Sequence, residues 1–163
     1  MQEQGQAPAW PLTARLVVSL AHLWFLLARP LTLGVRGLVL DEGGRALLVK
    51  HGYVPGWHLP GGGVEAGETF EEALARELAE EANVVLEGSP TLHGLFYNRR
   101  VSRRDHVAVY VVRRFRLTGE RAPDREIVAA RFFPLDALPP DTTRGTRSRL
   151  MEVLEGAPVS PLW

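Results

Sequence analysis

Along the chain, residues 1–9 are polar, and Trp10 and Pro11 then lead into a nearly unbroken apolar run from Leu16 to Ala28, bracketed by Arg15 and Arg29. Only Ser19 and His22 interrupt this run, so a helix over it is hydrophobic almost all round. Its thirteen residues fall short of the ~20 needed to span a bilayer. A signal peptide also fits poorly, because no basic residue precedes Arg15 and no A-x-A site follows. Three readings remain: a helix packed on its own domain, a homodimer contact, or an interfacial membrane anchor, with membrane contact the weakest. His22 reads as a packed histidine rather than a ligand.

Past Pro30 the pattern changes to strands. Leu31 to Leu40 predicts a strand in which Gly34 and Gly37 permit bulges or close approach. Asp41 to Gly44 predicts a turn, with Arg45 to His51 returning as the second strand of a hairpin. Tyr53 to Pro60 then delivers the chain to Gly61, Gly62 and Gly63, where the backbone can turn tightly and approach a ligand without side chains in the way. Further on, Val84 to Leu86 and Thr91 to Tyr97 predict strands, Asn98 to Asp105 an arginine-rich loop, and His106 to Leu117 one long central strand rich in β-branched and aromatic residues. Gly119 to Arg125 reads as a loop. Thr142 to Glu155 reads as the last helix, with Asp141 as N-cap and Gly156 beyond its end. Strands alternating with helices imply an α/β protein.

Between the glycines and Val84 lies a helix with unusual patterning. Thr69 followed by Glu72 is a capping box, which starts the helix at Phe70, and Asn83 suits the left-handed residue that ends it. Glu77, Glu80 and Glu81 stand at i, i+3 and i+4, so their carboxylates project from neighbouring turns. Glu77 and Glu81 fall within about 20° of Phe70 and about 60° of Leu74, on the stripe that should face the core. The opposite side is assigned Ala75, Ala79 and Ala82. Partly buried like charges repel unless a cation sits between them, and Mg²⁺ or Mn²⁺ suits such oxygen donors.

Composition adds limits. The 163 residues, 45% hydrophobic and 23% charged, suit a single globular domain. The absence of cysteine excludes disulfides, thiolate metal sites and thiol catalysis, and a cytoplasmic setting is the default. Net charge is zero but segregated: residues 65–87 hold eight glutamates and residues 99–121 eight arginines. That asymmetry points to a phosphate-rich small ligand rather than a nucleic-acid groove, with a solvated strand face as the alternative for the arginines.

The motif Gly62, Glu68, Arg76-Glu77-Leu78, Glu80-Glu81, Asn83, Val84, entered through Trp57-His58-Leu59-Pro60-Gly61-Gly62, closely resembles the Nudix box of the Nudix hydrolases. One position departs, Asn83 standing where glycine is usual, and asparagine tolerates the same backbone. The resemblance implies an α/β/α sandwich with a mixed sheet over about residues 31–157, leaving residues 1–30 outside it. It implies Mg²⁺-dependent hydrolysis of a phosphoanhydride in a nucleoside diphosphate linked to a moiety X. A binding module of the same fold that senses a nucleotide without cleaving it is the alternative. It assigns the metal to Glu77, Glu80 and Glu81, with Glu68 in support, and takes Glu126 to Pro139 as the closing strand and short helix, with Glu126, ahead of the aromatic-Pro-Leu run, as a further metal candidate. Arg76 would brace a glutamate of the box. The general base stays open among Glu77, Glu80 and Glu126, and the substrate is unassigned. Phe96, Tyr97 and Arg99 lie where a base or other moiety could stack, or else are core aromatics and a surface charge.

Overall fold

The computed structural model describes residues 30–163, together with Trp24. Trp24 apart, the leader and the apolar run of residues 16–28 lie outside the described residues, as do the dimer and membrane readings built on them. The chain divides into two units, Met1–Leu31 and Thr32–Trp163. Within the second, the order is β1 (Thr32–Val39), β2 (Ala46–His51), β3 (Trp57–His58), α1 (Phe70–Ala82), β4 (Val84–Leu86), β5 (Thr91–Tyr97), β6 (Asp105–Val112), β7 (Phe115–Leu117) and β8 (Ile127–Phe133). A 3-10 turn (Leu135–Ala137) and α2 (Arg144–Leu154) complete it. The α/β expectation holds. No described helix is long and apolar enough to cross a membrane.

Alternation along the strands builds a core on each face. In β1, Val35 and Val39 join Leu47, Val49, Ala108 and Tyr110 beneath Leu74 and Leu78 of α1. Leu38 points the other way and joins Leu48, Val107, Val109 and Leu150 of α2. Fully burying a side chain of this kind contributes about 1.5–3 kcal/mol, so the period of two commits each strand to both faces at once. Gly37 lets α1 settle close to β1: a Cβ there would stand 3.0 Å from Leu78 Cδ2 and 3.2 Å from Leu74 Cδ1. The β1 glycines therefore serve close approach rather than bulges.

The sheets correct two strand expectations. β1 and β2 do not form a hairpin ladder: the Asp41–Arg45 turn closes on one antiparallel bridge, Leu40 to Ala46. β1 instead pairs in parallel with β6, which also takes β5 antiparallel, giving a mixed sheet. The other edge of β1 is occupied by the glycine loop, through Val35 N–H to Gly62 O (2.9 Å), Gly37 N–H to Pro60 O (2.8 Å) and Val64 N–H to Leu33 O (2.9 Å). With both edges taken, β2 pairs with β3 and β8.

Nor is residues 106–117 one strand. The exposed pair Arg113–Arg114 interrupts it, after which β7 leaves to pair with β4, Val84 opposite Leu117 and Leu86 opposite Phe115.

Two helix details also differ. The N-cap of α2 is Thr143, whose Oγ1 accepts the Thr146 N–H, while Asp141, two residues earlier, pairs with Lys50 Nζ at 3.0 Å. Ala82, placed on the outer side of α1 by its angle, is buried in the α1 core beside Val84, because the chain turns back under the helix at its C-terminus. Ala79 is exposed as expected.

Candidate active site

Helix α1 is fixed at both ends, which sets the rotation of its carboxylates. The Glu72 N–H donates to Thr69 Oγ1 (3.2 Å) while the Thr69 N–H donates to Glu72 Oε2 (2.8 Å), satisfying two otherwise orphaned donors. At the far end Asn83 is left-handed (φ 52°, ψ 34°), and its side-chain Nδ2 donates to Glu120 O at 3.0 Å.

So held, α1 turns Glu77 and Glu81 inward, their side chains 13% and 7% exposed. Together with Glu126 they line a hollow of about 320 Å³ whose wall is Gly61–Gly63. The Gly61 N–H donates to Glu81 Oε2 at 2.7 Å. A Cβ on Gly62 would stand 2.3 Å from Glu77 Oε1, so the bare glycine leaves the carboxylate its inward position. Glu80 behaves differently: its side chain is 62% exposed and lies 3.5 Å from Arg76 Nη1. A residue three positions after Glu77 sits about 60° round the helix from it, enough to leave the hollow for solvent.

Arg76 ties the loop to the helix. Its Nε and Nη2 donate to Glu68 Oε1 and Oε2 at 2.8 and 3.0 Å, Nη1 donates to Glu77 Oε1 at 2.8 Å, and Nη2 also reaches Gly63 O at 3.1 Å. Hydrogen bonds from Arg76, then from the Glu65 N–H, hold the Glu68 carboxyl down to about 2. Of the five acids proposed from sequence, Glu77, Glu81 and Glu126 line the hollow, whereas Glu68 and Glu80 sit with Arg76. Among the described residues, no three His, Asp or Glu side chains are gathered closely enough to hold a metal ion as they stand.

The electrostatics of the hollow nevertheless suit a cation. Burial pushes the Glu81 carboxyl up to about 7, with Glu77 and Glu126 adding to the effect and the Gly61 N–H and Arg36 opposing it. A buried carboxylate flanked by two more is relieved by a hard divalent ion, and the donors are oxygens of the kind Mg²⁺ and Mn²⁺ take.

Three basic side chains of this hollow, those of Arg36, His51 and His58, were missed in the sequence, as were its neighbours Tyr53 and Val54. Arg36 donates through Nη1 to Gly61 O and, at 3.3 Å, to Leu59 O, so it braces the glycine wall. His51, at the end of β2, has Nε2 3.6 Å from Glu81 Oε1, too long for a hydrogen bond, and its buried Nδ1 has no partner. Burial first, then Arg36 and His58, lower its pKa to about 4, so its imidazole is neutral. His58 lies beside it, ring centroids 5.6 Å apart. A usable signal existed: Arg36 is the single charge in the otherwise apolar strand GVRGLVL.

The remaining three candidates are not in the hollow. Phe96 is fully buried, with the Arg149 guanidinium 3.8 Å above its ring, so it has no face to offer a ligand and is a core residue. Tyr97 is half-buried and stacks on His106, centroids 5.3 Å apart. Arg99 is exposed, at the rim of a separate small cleft.

With this geometry in hand, comparison with known proteins is informative. The NUDIX domain description matches residues 30–154. The ADP-ribose pyrophosphatase of Methanocaldococcus jannaschii is 33% identical over 104 residues, 62% of this chain and 61% of that protein. The chain spans 34% to 61% of the length of the first curated relatives it matches. Among solved structures, a MutT NUDIX hydrolase from Burkholderia pseudomallei superposes with a TM-score of 0.64 at 32% identity, covering 75% of this chain and 97% of that one. An ADP-ribose pyrophosphatase from Streptococcus suis gives 0.61 at 26% identity, covering 79% and 96%. Since the domain description covers most of the chain and a solved NUDIX hydrolase matches along nearly its whole length, the chain belongs to the Nudix hydrolase family.

Proposed function

We propose that the protein hydrolyses a phosphoanhydride bond in a nucleoside diphosphate linked to a second moiety, X, with Mg²⁺ as cofactor and Mn²⁺ as a substitute. The observation that carries this reading is the inward pair Glu77 and Glu81, facing a hollow walled by the glycine backbone. Glu77, Glu81 and Glu126 would hold the ion, with Glu80 on the adjacent face of the same helix. When bound, the ion supplies positive charge to the diphosphate oxygens and lowers the pKa of water.

The chain's own residues do the positioning. Gly61–Gly63 give the diphosphate a wall without side chains, and Arg36 keeps that wall in place through its two carbonyl contacts. Arg76 fixes Glu77 by one hydrogen bond and the loop by two to Glu68, so the acid does not follow solvent fluctuations. Attack of water on phosphorus forms one P–O bond and breaks the bridging one, and the water's proton needs an acceptor. Glu77, Glu81 and Glu126 are the carboxylates lining the hollow, and each is within the set from which that acceptor comes.

Two similar proteins carry the name ADP-ribose pyrophosphatase, and ADP-ribose is a compound of the proposed class. It heads a panel with coenzyme A, dinucleoside polyphosphates and nucleoside triphosphates, assayed with Mg²⁺ for released phosphate or nucleotide. Hydrolysis of at least one member, lost in Glu81→Gln, is expected. Nucleotide binding at equilibrium without product from any member would replace hydrolysis by sensing.

A further inference from the structure

The glycine wall has a second side. A cavity of about 540 Å³ there shares Arg36, His58, Gly62 and Gly63 with the acid hollow. A cleft of about 150 Å³ adjoins it, the two sharing Arg100, Arg144 and Trp163. Arg99 and Arg100 come from the turn between β5 and β6, whereas Arg144 is the first residue of α2. Elements far apart in sequence thus bring three guanidinium groups to one cleft, beside the hydroxyls of Ser148 and Ser160.

Among the described residues, no acidic side chain lines this cleft. The larger cavity has one among the described residues, Asp105, and its oxygens already accept from Thr32 Oγ1 and Asn98 Nδ2, each at 2.7 Å. Among the described residues, the side chains of Arg99, Arg100 and Arg144 make no hydrogen bond or ion pair, as is true of other exposed arginines such as Arg113, Arg114 and Arg131, and what sets these three apart is that they line one cleft together. Three like charges around one concavity repel unless an anion joins them, and a guanidinium matches phosphate with paired donors. An uncharged sugar or base would leave that excess unanswered.

We propose that Arg99, Arg100 and Arg144 form a phosphate-monoester subsite, so that the preferred substrates are nucleoside diphosphate derivatives carrying a further phosphoryl group away from the scissile anhydride. This rests on the hydrolase reading for the identity of the scissile bond. Coenzyme A against dephospho-coenzyme A, and NADPH against NADH, are matched pairs differing by one such group. Calorimetric titration of the full-length, metal-free protein with each is the test. The phosphorylated member binds at least tenfold tighter, and the difference falls below twofold in the Arg100→Ala/Arg144→Ala variant, checked for folding by circular dichroism. Arg99→Ala, an exposed position, is the second variant if the double one does not fold, and it lowers the preference in the same direction.

Equal affinity within both pairs, no binding by any of the four, or a preference that survives in the variants overturns the subsite. Inorganic phosphate that binds with the same arginine dependence while the pairs do not differ marks a free-anion site and overturns it too. The hydrolase reading is judged apart, by turnover with Mg²⁺: turnover of both members with equal efficiency sinks the subsite alone, and a binding preference without turnover of any substrate sinks the hydrolase alone.

Discussion

Arg76 grips Glu68 through two parallel hydrogen bonds, Nε to Oε1 at 2.8 Å and Nη2 to Oε2 at 3.0 Å, while its third nitrogen holds Glu77. The fork is a geometric device as well as a charge, and lysine has no equivalent. Arg76→Lys and Arg76→Ala are therefore both expected to lower Mg²⁺-dependent turnover at least tenfold, with the far-UV circular dichroism of the fold retained. Near wild-type turnover in Arg76→Lys would show that charge alone suffices.

The same clamp has a pH signature. The Glu68 pKa is depressed to about 2 from 4.5, so its contribution to stability is present above the unfolded value and is lost as pH falls toward 2. Thermal melts of wild type and Glu68→Gln should differ at pH 6 and converge as pH drops from about 4.5 to 2. A gap that stays constant over that window would mean the clamp does not stabilise the folded state.

Glu81 works in the opposite direction. Its pKa is raised to about 7 by burial, so the folded state binds the proton more tightly and stability declines as pH rises from 4.5 through 7. Glutamine does not titrate, so metal-free Glu81→Gln is expected to be more stable than wild type above pH 7, by on the order of 2–3 kcal/mol from the size of the shift, and to lose that advantage below about pH 4.5. Added Mg²⁺ should raise the melting temperature of wild type and not of the variant. Urea melts in EDTA across that pH range measure it, and a variant less stable than wild type at pH 8 would contradict the sign.

Neighbouring glycines separate stability from activity. A Cβ on Gly61 would meet Val35 O at 2.1 Å with φ at 136°, a clash with backbone that cannot move aside. Gly61→Ala should cost on the order of 2–4 kcal/mol in denaturant melts. On Gly62 the Cβ meets the Glu77 carboxylate, the far end of a side chain, which can rotate away. Gly62→Ala should keep most of the stability and lose turnover at least tenfold. Equal loss of stability in the two variants would contradict the distinction.

Arg149 is fully buried between the Phe96 ring and Glu152, whose second oxygen pairs with His93 Nε2 at 2.8 Å. Arg149→Ala removes the guanidinium from a buried carboxylate that keeps only His93 and the Ser160 N–H, and should destabilise by about 3 kcal/mol, whereas Arg149→Met/Glu152→Gln should cost less than Arg149→Ala alone. Urea unfolding of the three proteins decides this.

How much of this was legible differs by the range of the interaction. The capping box of Thr69 and Glu72 and the left-handed backbone of Asn83 involve main-chain partners at most five apart, and each stood in the sequence as it stands in the fold. Arg113–Arg114 could have been read as a break between β6 and β7, but the valines before it and Phe115 after it masked it. Phe96 carries the same aromatic signal whether it stacks a ligand or lies under a buried arginine, and Arg149 is far from it in the chain.

The amino-acid order by itself determined where α1 begins and ends and that Glu77 and Glu81 share one side, because backbone capping and a 3.6-residue period act between near neighbours. The tertiary structure alone decided that the glycine loop, not β2, occupies the second edge of β1, that Arg76 reaches back to Glu68 and Gly63 of the loop, and that Arg36 and His51 enter the hollow. Those outcomes turn on which distant groups compete for the same hydrogen bonds and the same buried space, and that competition is settled only when the chain is packed.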